Sequence, residues 1–198
     1  MKELLTNEQG GAIVIIFLIL FPMLIMTNVY FNEAERLQRG SNITLKGNLT
    51  LAVKVAAQSV DEVSQANGDP LIDPDKANEN FRKMLAQNLR LDDEMTAISH
   101  SPVMDNVNYY LLICNGENNF NLPEGVIYQY KDQVLTKTNF NAKLPKTFGV
   151  NTSFEIKKGK TVTFDKPGVI AIVESKIKPL VMSDNPETIR WAAAKIIY

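Results

Sequence analysis

The chain has 198 residues with one cysteine, one histidine and a formal net charge of −1. This balance gives no electrostatic reason to expect nucleic-acid binding, which depends on neutralising phosphates. The lone Cys114 excludes an intrachain disulfide and a thiolate metal cluster. The 45% hydrophobic content is typical of a folded chain, and the length predicts one domain beside any anchor.

An apolar run, residues 12–31 (AIVIIFLILFPMLIMTNVYF), follows a polar stretch at residues 1–11. No Asp, Glu, Lys or Arg lies between Glu8 and Glu33, and twenty helical residues span about 30 Å, one hydrocarbon thickness. The segment is apolar on all sides and longer than the apolar core of a secretory signal. It therefore predicts a retained transmembrane helix rather than a soluble core helix. Pro22 in its middle predicts a kink or a helix-packing contact.

An amphipathic helix is predicted over residues 41–66. It continues the apolar helix as one rod or breaks at Gly40 or Gly47, and Asn67-Gly68-Asp69-Pro70 ends it. We expect its apolar face to pack on the chain's own sheet or on neighbouring subunits. That face comprises Leu45, Leu49, Val53, Ala56, Val60 and Val63.

A second helix is predicted over residues 74–90, with Asp73 as its N-cap and Pro74 at its first position. Strands are predicted from about residue 103 to residue 198. The run at 107–114 is apolar on both faces and indicates a central strand, and residues 169–177 have the highest β-branched content. Shorter strands are expected at 126–130 and 134–138, a hairpin from 150–156 and 161–164, and a last strand at 188–198. The predicted fold class is α+β, with an antiparallel sheet in the domain formed by residues 32–198.

Residues able to support catalysis are few. His100 lies between two serines in a predicted loop without a nucleophile-elbow sequence, so we interpret it as a surface residue. Cys114 lies within an apolar strand and is interpreted as a buried side chain. The acidic pairs lack calcium-loop spacing. We therefore predict no enzyme activity, cofactor or metal site.

The N-terminal region resembles the TadE- and TadG-like pseudopilins of tight-adherence (Flp-type) pilus systems. The resemblance rests on Asn7-Glu8-Gln9-Gly10-Gly11, the apolar run with Pro22, and the amphipathic helix after it. The ending GVIAIVESKIKPLVM…ETIRWAAAKIIY is loosely similar. The match covers roughly the first 65 residues and the last 30.

The resemblance implies a non-enzymatic structural subunit or assembly factor of a pilus or secretion apparatus. It implies the lipid bilayer and other pilin-like proteins as partners, and a prepilin peptidase acting at Gly10 or Gly11. Processed members carry a Glu five residues after the cleaved Gly, where this chain has Ile15 or Ile16, so an uncleaved chain is the other expectation. The implied location of the C-terminal domain is extracytoplasmic, whereas the basic residues after the anchor favour a cytoplasmic one. The alternative function is a single-pass sensor or ligand-binding protein with a β-rich domain.

Overall fold

In a computed structural model, the backbone is described for residues 8–150, 160–177 and 187–196, and the side chains for residues 16–32, 44–150, 161–177 and 188–196. The helices are α1 (Glu8–Ala57), α2 (Glu62–Ala66) and α3 (Pro74–Leu89). The strands are β1 (Asn108–Cys114), β2 (Gly125–Lys131), β3 (Val134–Phe140), β4 (Lys146–Val150), β5 (Lys160–Phe164), β6 (Gly168–Lys176) and β7 (Glu187–Lys195). The predicted mixed α+β class with an antiparallel sheet is confirmed.

The main sheet has five strands in the order β3-β2-β1-β6-β7, and β4 and β5 form a separate two-stranded ribbon. Every pairing is antiparallel. Because side chains alternate between the faces of a strand, β1 contributes to two apolar clusters. Leu111 and Ile113 belong to the helix-side cluster, whereas Leu112 and Cys114 belong to the cluster under the ribbon. The central position predicted for residues 107–114 is confirmed.

Helix α1 is continuous for 50 residues, so the rod form of the prediction is the one observed and neither Gly40 nor Gly47 interrupts it. Its C-terminal part packs on α3, β6 and β7. The residues of its predicted face up to Ala56 are no more than 1% exposed: Leu45, Leu49, Val53 and Ala56. This face is therefore used inside the chain's own domain and is not free for a neighbouring subunit.

The predicted end of the first helix was wrong, because α1 ends at Ala57 rather than near residue 66. The chain turns there, and Asp61 starts the separate helix α2 by accepting a hydrogen bond from Ser64 N–H. Val60 instead forms a β-bridge with Ile72, and Val63 is 63% exposed. The three- and four-residue spacing continued through this turn, and the N-cap preference of Asp prevailed over it.

Helix α3 begins and ends as predicted. Asp73 is its N-cap, accepting hydrogen bonds from Asp75 N–H and Lys76 N–H, and Arg90 closes it in a left-handed conformation with φ of 53°. The hairpin predicted from 150–156 is different: β5 pairs with residues 146–150, with Val150 opposite Lys160. Residues 151–156 lie outside the described residues.

Candidate anchoring surface on the N-terminal helix

The N-terminal half of α1 presents an apolar surface. Among the side chains described there, thirteen large apolar ones are between 49% and 75% exposed: Ile16, Phe17, Leu18, Ile19, Leu20, Phe21, Met23, Leu24, Ile25, Met26, Val29, Tyr30 and Phe31. We call this set the apolar segment. A contiguous exposed surface of this kind marks a protein or membrane interaction site, because soluble proteins rarely leave such a surface uncovered.

The polar side chains near the end of the apolar segment bond to their own helix. Thr27 Oγ1 donates to the Met23 carbonyl at 2.7 Å, and Asn28 Nδ2 donates to the Leu24 carbonyl at 3.3 Å. These bonds reduce the desolvation penalty that Thr and Asn would have in an apolar environment. Pro22 lies within the helix and has no N–H to donate to the preceding turn.

The apolar segment and the domain core belong to one helix. Residues 16–31 and the buried residues from Leu45 to Ala56 are joined by uninterrupted helical backbone. No loop therefore separates the apolar segment from the domain core along this described helix. Gly10 and Gly11 lie near the start of the same helix.

Within the described residues, no helix reaches the combination of length and hydropathy that a membrane span requires. The transmembrane assignment of residues 12–31 therefore stays a prediction from the sequence.

Within the described part of the chain, His100 and Cys114, the side chains considered for catalysis, lie in different environments. His100 is exposed with φ of 64°, and its Nδ1 lies 2.7 Å from Ser99 Oγ. Cys114 is fully buried, and burial raises the pKa of its thiol to about 11. Across the described part of the chain, no three His, Cys, Asp or Glu side chains form a group that could hold a metal ion.

A tyrosine cluster lies between the sheet and α3. Tyr109 stacks on Tyr130 with ring centroids 5.4 Å apart and meets Phe81 edge to face at 5.2 Å. Its hydroxyl donates to Asn78 Oδ1 at 3.0 Å, and burial raises its pKa. These contacts satisfy the buried hydroxyl and attach α3 to the sheet, so the cluster is structural.

A hydrogen-bonded group at the N-terminus of α3 was not predicted. Asp75 Oδ1 accepts a hydrogen bond from the Tyr128 hydroxyl at 2.6 Å and another from Lys137 Nζ at 2.7 Å. Lys137 Nζ also lies 5.4 Å from the centroid of the Tyr128 ring. Tyr128 and Lys137 lie 53 and 62 positions from Asp75, and no local pattern in the sequence could have placed Asp75 beside them.

A cavity of about 620 Å³ lies between α3 and the loop that follows it. Arg82 borders it, with its guanidinium 4.9 Å from the Tyr130 ring centroid and Nη2 donating to the Asp93 carbonyl at 2.8 Å. Leu91 and Met95 supply apolar wall, and Glu79 and Asp92 supply negative charge. The lining thus combines both signs of charge with an apolar side.

Comparison of the chain with protein-family models, with curated proteins and with solved structures gives no match.

Proposed function

We propose that this chain is a membrane-anchored, non-enzymatic structural subunit or assembly factor of a pilus-like apparatus of the tight-adherence type. Residues 12–31 are its anchor, and residues 32–198 are its extracytoplasmic domain. The observation that carries the proposal is the exposure of the apolar segment on a helix whose other half is buried in the domain core.

The energetic argument concerns the apolar segment. Fully burying one large apolar side chain contributes about 1.5–3 kcal/mol. Thirteen side chains that are 49% to 75% exposed would therefore gain on the order of 10 kcal/mol or more in lipid, even when each is counted as half-exposed. The lipid bilayer is the proposed primary partner.

The pilus-like role is supported by the shape of α1 and by the resemblance of the N-terminal region. A rigid helix fixed in a domain lets several anchors bundle in the membrane while their domains stand outside it. Other pilin-like membrane proteins are the proposed protein partners. Gly10 and Gly11 are the proposed sites for a prepilin peptidase, if the chain is processed.

Anchoring is tested by alkaline extraction of membranes that contain the full chain. The wild-type chain should stay in the membrane pellet, whereas Leu20→Lys combined with Leu24→Lys should release it, since each central Lys disfavours insertion by about 2.5–3.5 kcal/mol. Leu51→Lys is the matched control, because Leu51 is 51% exposed on the same helix outside the apolar segment. Release of the wild-type chain would contradict the proposal.

Assembly is tested with Pro22→Ala, which restores the N–H donor missing from the helix without adding charge. We expect the variant to stay in the membrane but to lose high-mass assemblies after mild detergent extraction and native electrophoresis. Unchanged assemblies would exclude a packing role for Pro22.

The N-terminal mass of the extracted chain shows whether the chain is cleaved at Gly10 or Gly11. Digestion of intact cells with external protease shows on which side of the membrane the C-terminal domain lies.

The cavity beside α3 favours a second candidate function, a single-pass ligand-binding protein. Its mixed lining around Arg82 suits a small polar molecule that also has an apolar part. This alternative predicts a thermal shift with small organic acids or glycans that Arg82→Ala abolishes and Arg90→Ala, on the exposed end of α3, leaves intact. A structural subunit should show no thermal shift with the small organic acids or with the glycans.

A further inference from the structure

The strand β3 is an uncovered edge of the main sheet. Among the described strands it pairs with β2 alone, and six of its seven positions are exposed. Val134 and Leu135 are 62% and 41% exposed. The outer backbone groups of such a strand are available to pair with another strand.

The usual protection of an edge strand is missing from β3. It has no proline, and its register with β2 is continuous from Val134 to Phe140 without a bulge. Its one charged residue is Lys137, whose Nζ is drawn back to Asp75 Oδ1 at 2.7 Å, over the ring of Tyr128. Lys137 is therefore directed toward its own domain and does not guard the edge.

β7 is the other edge strand of the described sheet, and its residues align with those of β3 across the intervening strands. The registers link residues across all five strands in unbroken rows, of which one is Thr138, Ile127, Leu112, Ile170 and Ala193. Because each strand is antiparallel to its neighbour, the two edge strands run in the same direction. A copy placed beside the first without reversal would set its β7 parallel to β3.

β3 could pair either with β3 or with β7 of a second copy, and the two pairings differ in the direction in which the second copy points. Pairing β3 with β3 would be antiparallel, would turn the second copy end over end and would send the two α1 helices in opposite directions. Pairing β3 with β7 keeps every α1 helix on the same side. We infer that β3 accepts the β7 edge of a second copy of this chain as a parallel strand, forming a lateral row of co-anchored subunits; this rests on the proposed membrane anchoring.

The side chains of the two edges fit this arrangement. Rows continued into a second copy place Lys137, Thr138 and Asn139 beside the small residues Ala192, Ala193 and Ala194. No row of this arrangement brings two like charges together. Helix α1 packs over β6 and β7, so the α1 of the second copy lies near the uncovered helix-side face of β3.

The inference is tested with cysteines introduced into the full chain in its membrane. Native Cys114 is fully buried and serves as an unreactive background. The variants are Thr138→Cys, Ala193→Cys, the two combined, and Asp132→Cys as an exposed control in the β2–β3 turn. A short bismaleimide is added, and the products are separated by denaturing electrophoresis.

A ladder of dimers, trimers and larger products should form with the combined variant, and a dimer should form when the two single variants are coexpressed. Each single variant and Asp132→Cys should remain monomeric. Adding Thr136→Lys, which places an unpaired charge on the edge, should reduce the ladder at least tenfold. Asn139→Cys with Ala194→Cys, one row away on the opposite face, repeats the test if the first pair fails to fold.

Cross-linking by Thr138→Cys alone would overturn the inference in favour of β3–β3 pairing. Absence of products from both cysteine pairs in chains that resist alkaline extraction would overturn the lateral row and leave the anchoring proposal intact. Extraction of the wild-type chain would instead overturn the anchoring on which the inference rests.

Discussion

The Tyr128 hydroxyl donates a 2.6 Å hydrogen bond to Asp75 Oδ1. Asp75 lies in the first turn of α3 and Tyr128 lies on β2, so this bond joins the helix layer to the sheet. Lys137, on the edge strand β3, bonds to the same Asp75 oxygen and so joins β3 to the helix as well. The hydrogen bond from Lys137, followed by the one from Tyr128, lowers the pKa of Asp75 below its ordinary value.

We expect this linkage to make stability fall in acid. The folded-state pKa of Asp75 is below its unfolded value of about 3.8. The contribution of Asp75 to folding stability is therefore fully present above pH 3.8 and is lost as the pH falls through the folded pKa. The Asp75 side chain is 75% exposed, and solvent screening limits the contribution to about 0.5 kcal/mol. Urea unfolding at pH 6 and pH 3 measures it.

Asp75→Asn should reduce this acid sensitivity, and Asp69→Asn, at an exposed loop position, should not. The double variant Asp75→Ala with Tyr128→Phe should be less destabilised than the sum of its two single variants, because each single variant removes the same hydrogen bond. Strict additivity would show that the bond adds nothing measurable.

Asn115→Ala should be strongly destabilising. Asn115 is 3% exposed, its Oδ1 accepts from Ile72 N–H at 2.9 Å, and its Nδ2 donates to the Ile72 carbonyl at 2.8 Å. Truncation leaves both buried backbone groups without this partner, at a cost of about 2–4 kcal/mol. Chemical denaturation of Asn115→Ala should show that loss, while Asn139→Ala on the exposed edge strand should stay within about 0.5 kcal/mol of wild type.

Cys114 should react with a thiol reagent only when the protein unfolds. Its thiol is fully buried and has a pKa near 11, so on the order of one molecule in a thousand carries a thiolate at pH 8. We expect the rate of labelling by a chromogenic disulfide to rise with urea in parallel with unfolding. Asp132→Cys provides an exposed reference thiol, and equally fast labelling of both thiols in native buffer would refute the prediction.

The sequence predicted those elements whose signals are local. The Asp73-Pro74 start of α3 and the strand at 107–114 have such signals, in capping chemistry and in apolar content on both faces. The last strand was harder, because the Ala-rich run of β7 has helical propensity, and pairing with β6 along nine positions prevails over it.

The remaining features depend on contacts between distant residues. The end of α1 at Ala57, the pairing of β5 with residues 146–150, and the bonds to Asp75 are set by tertiary partners that periodicity cannot reveal. The apolar run at residues 12–31 shows the opposite case, because its composition alone makes it visible in the sequence.

Two glycine-to-alanine substitutions should change stability in opposite directions. A Cβ at Gly47 would meet no atom within 4 Å, so Gly47→Ala should stabilise α1 by about 0.5–1 kcal/mol through its higher helix propensity. A Cβ at Gly168 would lie 2.6 Å from the ring of Phe164, a fully buried residue of the ribbon strand β5, so Gly168→Ala should destabilise by about 1–3 kcal/mol. Adding Phe164→Leu to Gly168→Ala should recover part of that loss, since the smaller side chain vacates the space. Equilibrium unfolding of the wild type and these three variants measures the changes in stability. A neutral or stabilising Gly168→Ala would mean that the ribbon shifts freely over the sheet.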